Sequence, residues 1–403
     1  MHRVRMSLPY YSNFGWDAEV IYVDTKYVEG FQDDLLVETI PENIKLHSVR
    51  AFPTWLTRKF GLGSLSIRSF IFYFFKVNSL LKRNKYDLIL FSTTMFHVGA
   101  LGPYWKWRFN VPFIVDLQDP WRNDYYLNKP KPERPPKFWF SYLLLKFTEQ
   151  IAIPKCSGII SVSEGYISEI KYRYPSTVDL PMKMIPFGSS LIDFDLVSQK
   201  LVPAYNLKTP KENKINIVYI GAITPAFIPV IRAFFECLIN KNFEFINYHF
   251  YFLGTSYSLT NSPKLVEELA SQLGIKSHVS EQPQRLPYFM TLATLKSADI
   301  LFIPGSLDVD YNASKIYNSI LSGTPIFSIF NNKSEVKNII EKSNSGIVIG
   351  FDNEQDLRIS LEKDALIIRT LKKESSSRII PEEILAEFRT KQQCSFFNNC
   401  LER

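Results

Sequence analysis

The sequence predicts an α/β protein with parallel sheets, organised as two domains, and three observations carry that expectation. Mostly apolar runs of strand length, such as 86–92 (YDLILFS), 215–223 (INIVYIGAI) and 299–304 (DILFIP), mark strands buried on both faces. These runs alternate with helix-length segments along almost the whole chain, the pattern of repeated βαβ units. A polar stretch at 193–213, with Pro203 and Pro210, separates two such series, and 403 residues suffice for two full cores.

Taken in order, 1–13 reads as a helix running into a turn at Gly15, and 18–24 (AEVIYVD) as a buried strand. A short strand (KLHSVRAF) follows within polar sequence. Segment 66–83 has helical spacing but more aromatics than one buried stripe needs, with Arg68, Lys76, Lys82 and Arg83 around them. Two readings fit it: a helix packed between sheet and lid, or one facing a membrane. Then come strand 86–92, helix 98–108, strand and loop VPFIVDLQDPW, and a proline-rich piece, KPKPERPP, expected to be extended and poorly packed. Helix 138–152, strand GIISVS, helix 166–174 and KMIPFGSS close the first half. The second half reads as strand 215–223, helix 229–240, strand YHFYFLG, helix 264–273, the short strand of HVSEQPQRLPY, helix 286–297, strand 299–304, helix 314–321, strand PIFSIF, helix 334–343 and strand GIVIGFD. The rest is helical. The expected domains are 1–190, a linker at 191–213, 214–380, and a C-terminal helix at 381–403.

Composition excludes several classes. With 46% hydrophobic and 22% charged residues the chain is an ordinary globular protein. Its four cysteines are scattered without a CxxC pair, which argues against a disulfide framework or zinc site and for a reducing compartment. No run reaches the ~20 apolar residues of a membrane span, and no secretory leader pattern opens the sequence. The net +7 has one source: residues 45–146 hold 17 basic against 5 acidic side chains, and five of the six tryptophans. Basic and aromatic together suit an anionic membrane surface. No RNA- or DNA-binding motif accompanies the charge, so nucleic acid is not expected as a partner. The expected location is cytoplasmic, peripheral at the inner face of the cell membrane.

The most informative run is 305–330, GSLDVDYNASKIYNSILSGTPIFSIF. Ile316 and Ile320 share one helical face, Tyr317 and Leu321 another, and Ser314, Lys315 and Asn318 a polar one. Gly323 followed by Pro325 is a helix stop. A short helix after a strand and loop offers free N–H groups, and Lys315 adds a positive charge, so this start is a candidate phosphate seat. His97 and Asp119 fall at the carboxyl ends of two predicted strands of the first half, where ligands of parallel sheets gather.

This run resembles the nucleotide-sugar segment of family 4-like GT-B glycosyltransferases of the bacterial surface-polysaccharide type. In them two acidic residues separated by seven others precede a short helix ending in a small residue, Gly and Pro. Placed by Gly323, those acids fall on Asp310 and Asn318, so the second is an amide here, which keeps hydrogen-bonding capacity without the charge. STTMFH, DLQDPW, SVSEGY and IPFGSS resemble the acceptor-side loops, and YIGAI, FLGTSY, VSEQPQRLPY and YNASKIYNSILSGTPI the donor-side loops. The resemblance implies two Rossmann-like domains facing each other across a cleft. It also implies transfer of a sugar, with retention, from a nucleotide-diphosphate donor to a lipid-linked or glycan acceptor.

Carried over residue by residue, the resemblance implies Lys315 and Arg285 for the diphosphate and Gly221 for close backbone approach. It implies Asp310, Ser314 and Asn318 along the donor, while Tyr311 and Tyr317 either contact the nucleotide or sugar or belong to the core. Glu281 either holds Arg285 or bonds the donor. Asp119 either meets the acceptor hydroxyl or caps a helix, and His97 contacts the transferred sugar. The family's lysine after the first glycine is missing, since ITPAFIP follows Gly221. Asp308 and Asp310 form a DVD, but within a run matching a metal-free pattern, so no metal or cofactor is expected beyond the donor substrate.

Two rival functions remain: a non-catalytic binding or assembly subunit, favoured by Asn318 and the missing lysine, and a nucleotide-sugar epimerase of the same fold. The start of the chain carries one more expectation. A Rossmann-like domain opens with a central strand and a glycine-rich loop, whereas 1–13 already matches the first helix. The expectation is an amino-terminally shortened chain, impaired on the acceptor side, whose strands near 18–23 and 88–91 pair with each other or stay unsatisfied.

Overall fold

The computed structural model describes all residues except 1, 30–32, 58–61, 93, 135–136, 208–213, 257–261, 308–314, 373–377 and 403. The chain divides into two compact units, Met1–Gly188 with Ala386–Arg403, and Ser189–Leu385.

In the first unit, β1 (Glu19–Val23) pairs in parallel with β2 (Lys45–Val49), while β3 (Ile89–Ser92), β4 (Phe113–Leu117), β5 (Gly158–Ser161) and β6 (Met182–Met184) form a separate four-stranded parallel sheet. Both sheets feed the same two cores. On one face Val23, Val49, Phe91, Val115 and Ile159 meet α2 (Leu65–Arg83), α3 (Gly102–Phe109) and α4 (Phe138–Ala152). On the other, Ile114 and Ile160 meet the amino-terminal segment through Leu8 and Tyr11, with Val20 and Leu90 alongside. Of the two outcomes expected for the strands near 18–23 and 88–91, pairing with each other is not the one seen: among the described residues β1 pairs with β2 and β3 with β4, and the facing edges carry no ladder. A side-chain bond spans the break, where Tyr86 donates to Glu19 at 2.7 Å. Residues His2–Ser7 are helical, as read, and form α1; α5 (Glu164–Arg173) follows β5.

In the proline-rich piece, the described residues 129–134 are less loose than composition suggests, and 135–136 lie outside the described residues. Arg134 donates to the carbonyls of Lys129 (2.7 Å) and Leu127 (3.0 Å), and its guanidinium lies against the rings of Phe138 and Trp139. Proline leaves carbonyls without local donors, and one arginine gathers two from this segment.

The second unit holds one six-stranded parallel sheet in the order β12-β11-β10-β7-β8-β9. Its strands are β7 (Ile215–Ile220), β8 (Tyr248–Leu253), β9 (Val279–Gln282), β10 (Ile300–Pro304), β11 (Ile326–Asn331) and β12 (Gly346–Phe351). The chain runs outward from β7 to β9, then returns to lay β10 on the other side of β7. That reversal opens a crevice at the carboxyl ends of β7 and β10. A cluster of phenylalanines fills the core, with Phe234 stacked on Phe302 at 5.0 Å.

Both segments outside the two predicted domains have definite places. The stretch read as a linker begins with α6 (Leu191–Gln199), whose Phe194 and Val197 are buried and whose Asp193 accepts from Tyr288 at 2.8 Å, all within the second unit. The C-terminal helix Ala386–Leu401 belongs to the first unit. Its Gln393 accepts from Tyr11 at 2.8 Å, and Phe397 meets the Trp16 ring edge-on at 5.2 Å. Gly158 permits the approach: a Cβ there would lie 2.6 Å from Cys400 Sγ.

All six tryptophans lie between 16 and 139, so their fluorescence reports the first unit alone. Phe397→Ala empties a buried site and is expected to destabilise that unit by about 3–5 kcal/mol. Urea unfolding followed by tryptophan emission should show a lowered midpoint. An unmoved tryptophan transition would mean that the helix does not hold this unit together.

Candidate functional site

In the second unit, Gly221 follows β7 with φ +150°, and its N–H donates to Leu253 O at 2.9 Å. A Cβ at this position would stand 2.6 Å from Lys315 Nζ and 3.3 Å from the Tyr219 hydroxyl. The backbone conformation calls for glycine here, and the lysine lies directly over it. Lys315 immediately precedes α10 (Ile316–Leu321) and reaches back across the crevice. Its ammonium donates to Tyr219 Oη at 2.5 Å, while that hydroxyl donates to Ala222 O at 2.8 Å. The Phe227 ring lies 5.8 Å from the same ammonium. Burial, with the charge of Arg285 adding, pushes Lys315 down to about 7. Arg285 comes from the loop after β9 and packs against Gly254, which follows β8 with φ +67°. Loops at the carboxyl ends of four strands thus bring two cations and two glycines together, an arrangement suited to a multiply charged anion.

The other sequence-predicted residues of this unit have varied fates. Glu281 is buried and committed to structure. One oxygen accepts from Thr255 Oγ1 at 2.6 Å, and the other from the N–H groups of Val266 and Glu267 at 2.8 and 3.0 Å, capping the helix Leu265–Gln272. Tyr317 is buried on the core side of α10. Asn318 turns its carbonyl oxygen to the Ser189 hydroxyl, which donates to it. Asp310, Tyr311 and Ser314 lie outside the described residues. Tyr219 was missed by sequence reasoning; its one signal is a tyrosine two residues before Gly221 in an otherwise aliphatic strand.

In the first unit the two predicted residues sit as their strands dictate. His97, just after β3, has Nδ1 2.7 Å from Ser66 Oγ, which is itself 2.7 Å from Ser64 Oγ. Its Nε2 is buried and has no hydrogen-bond partner among the described residues. Burial pushes the imidazole down to about 4, so the ring is neutral at pH 7. Asp119 follows β4; the residue is exposed, but desolvation of its carboxyl by the surrounding loops raises it above the ordinary aspartate range. Beneath them lies an ion pair that the sequence did not signal. Arg3 Nε stands 2.7 Å from Asp116, both nearly inaccessible, and Ser92 also donates to that carboxylate at 2.5 Å. Among the described residues no three His, Cys, Asp or Glu side chains come together as metal ligands, and no helix is long and apolar enough to cross a membrane.

No protein-family model and no curated protein matches the sequence. Solved structures do match its shape. HepE of Anabaena, in complex with UDP and glucose, aligns at a TM-score of 0.55 and 17% identity over 97% of this chain and 93% of that one. Sucrose-phosphate synthase of Thermosynechococcus elongatus aligns at 0.53 and 12% identity, over 99% and 90%. A glycosyltransferase from Rickettsia africae aligns at 0.51 and 12% identity, over 100% and 94%. With parallel sheets in each unit and alignments that span nearly the full length of both chains, the protein has the GT-B fold.

Proposed function

We propose that the protein is a retaining glycosyltransferase of the family 4 kind. It moves a hexose from a nucleotide-diphosphate donor to a lipid-linked or glycan acceptor at an anionic membrane surface, in cell-surface polysaccharide synthesis. The observation that carries this is the convergence of Lys315, over Gly221, with Arg285, against Gly254, at the carboxyl ends of the strands beside the crevice between β7 and β10. Breaking a sugar–phosphate bond builds charge on the departing diphosphate, and cations already in place offset it without reorganisation. Tyr219 keeps the Lys315 ammonium over the glycine. The structural neighbours solved with UDP and UDP-glucose support a nucleotide sugar as the donor.

In the first unit, neutral His97 offers Nε2 for a hydroxyl of the transferred sugar, and Asp119, its carboxyl raised, serves the acceptor hydroxyl. The donor is the only small molecule the reaction requires; no metal is assigned. One observation favours the non-catalytic alternative. The Asn318 carbonyl already accepts from Ser189, which commits part of its hydrogen-bonding capacity within the fold. Titration calorimetry with UDP, GDP and other nucleotides separates the two, since an enzyme binds one of them and a degenerate module none.

Lys315→Ala and Arg285→Ala should each lower turnover by about 10²–10³-fold and weaken nucleotide binding, with far-ultraviolet circular dichroism and the thermal unfolding of the second unit unchanged. Full activity in a folded Lys315→Ala protein would remove the assignment.

A pH effect follows from the lysine. Its pKa in the unliganded protein lies near 7, below the ordinary 10.5, and only the ammonium form attracts a diphosphate. UDP affinity should be level below pH 7 and fall as pH rises above it, with a proton taken up on binding near pH 8. Calorimetry in buffers of different ionisation enthalpy measures that uptake, and Lys315→Arg, which stays charged, should abolish it. Binding without proton uptake at pH 8 would contradict the buried, lowered lysine.

A further inference from the structure

We infer that the outward faces of α2, α3 and α4 form one platform that docks the first unit on an anionic lipid bilayer. The three helices send Tyr73 and Val77, Trp105, and Ala152 into a single core, so they lie on the same face of the sheet. Their opposite faces are apolar as well. Along α4, Trp139, Leu143 and Phe147 recur every fourth residue and are 52%, 57% and 60% exposed. Phe75 on α2 and Trp107 on α3 are 63% and 79% exposed. They are linked through a run of rings, Phe75 to Phe74 at 5.4 Å, Phe74 to Tyr104 at 5.2 Å and Tyr104 to Trp107 at 6.2 Å. Large exposed aromatics gathered in this way mark an interaction surface.

Charge selects the partner. Across these helices the only carboxylate is Glu149, buried and paired with Arg173, whereas Lys76, Lys82, Arg83, Lys106, Arg108 and Lys146 are spread among the aromatics. A second copy of the chain would set cation against cation across the contact. An anionic bilayer accepts both features, tryptophan and phenylalanine at the headgroup boundary and lysine and arginine at the phosphates. Of the tryptophans counted in this basic region, Trp105 and Trp121 are core residues, leaving Trp107 and Trp139 on the platform itself and Trp55 exposed elsewhere. The inference concerns the membrane half of the proposed function and stands or falls separately from donor binding.

Vesicles of phosphatidylcholine with 30 mol% phosphatidylglycerol should co-sediment the protein at ~50 mM salt, and less so at ~500 mM. Pure phosphatidylcholine should bind it at least tenfold more weakly. The double variant Leu143→Glu, Phe147→Glu, at exposed sites and so expected to fold, should lose tenfold or more of the binding while titrating UDP as the parent does. Brominated acyl chains should quench tryptophan emission, and the quenching should fall in Trp107→Phe and Trp139→Phe. Vesicle binding that the double variant leaves intact would overturn the proposal. So would absence of binding to anionic vesicles. Self-association abolished by the double variant, with no vesicle binding, would overturn it in favour of a second copy as the occupant.

Discussion

Every strand pairing among the described residues is parallel, and that constraint governs the rest of the structure. A parallel ladder cannot be closed by a tight hairpin, so each strand hands the chain to a crossover that lies on a face of the sheet. Both faces become core, and the strands read as unbroken apolar runs. All strands in one sheet then end at the same edge, and the loops that leave there are the segments able to hold polar side chains together. Gly221, Gly254, Arg285 and Lys315 meet because four consecutive crossovers of the second unit start from that edge.

The site shows how burial alone prepares chemistry. Lys315 is held by a tyrosine hydroxyl and shadowed by a phenylalanine ring, with a second cation nearby. The hydroxyl and the ring face favour the ammonium, but removal from water, with the charge of Arg285 adding, outweighs them and brings it to the edge of neutrality. His97 is treated similarly in the first unit, where a buried ring is kept uncharged with one nitrogen bonded to Ser66. Both groups are poised to respond to a ligand's charge or hydroxyls, because among the described residues neither is stabilised by a carboxylate that the ligand would have to displace.

What was legible in the sequence was whatever depends on local pattern. Buried strands such as β7, β8 and β10 announced themselves as apolar runs, and Gly221, Lys315, His97 and Asp119 were placed at their ends by position alone. The residues that sequence reasoning missed or left open depend on tertiary partners. Tyr219 matters only because Lys315 returns to it from 96 residues away. Glu281 could be assigned to a helix cap only once Thr255 and the start of the helix at Leu265 were adjacent to it. Arg3 with Asp116, and the return of the C-terminal helix to Tyr11, pair residues from distant parts of the chain, for which no periodicity gives a hint.

The break between β1 and β3 bears on how the first unit moves. Strands that share a ladder open together, since each backbone bond supports its neighbours. The β1–β2 pair is joined to the remainder of its layer by packed side chains and by the Tyr86–Glu19 bond, with no described ladder between. Such a pair is a separate cooperative element, able to loosen while β3 to β6 stay intact. The Glu19 carboxylate works against that. Burial alone would raise its pKa, but bonds from Lys45, Tyr86 and His47 bring it down to about 2. A single side chain on β1 is in this way tied to β2 on one side and to the approach of β3 on the other, and serves as the latch of an otherwise detachable edge.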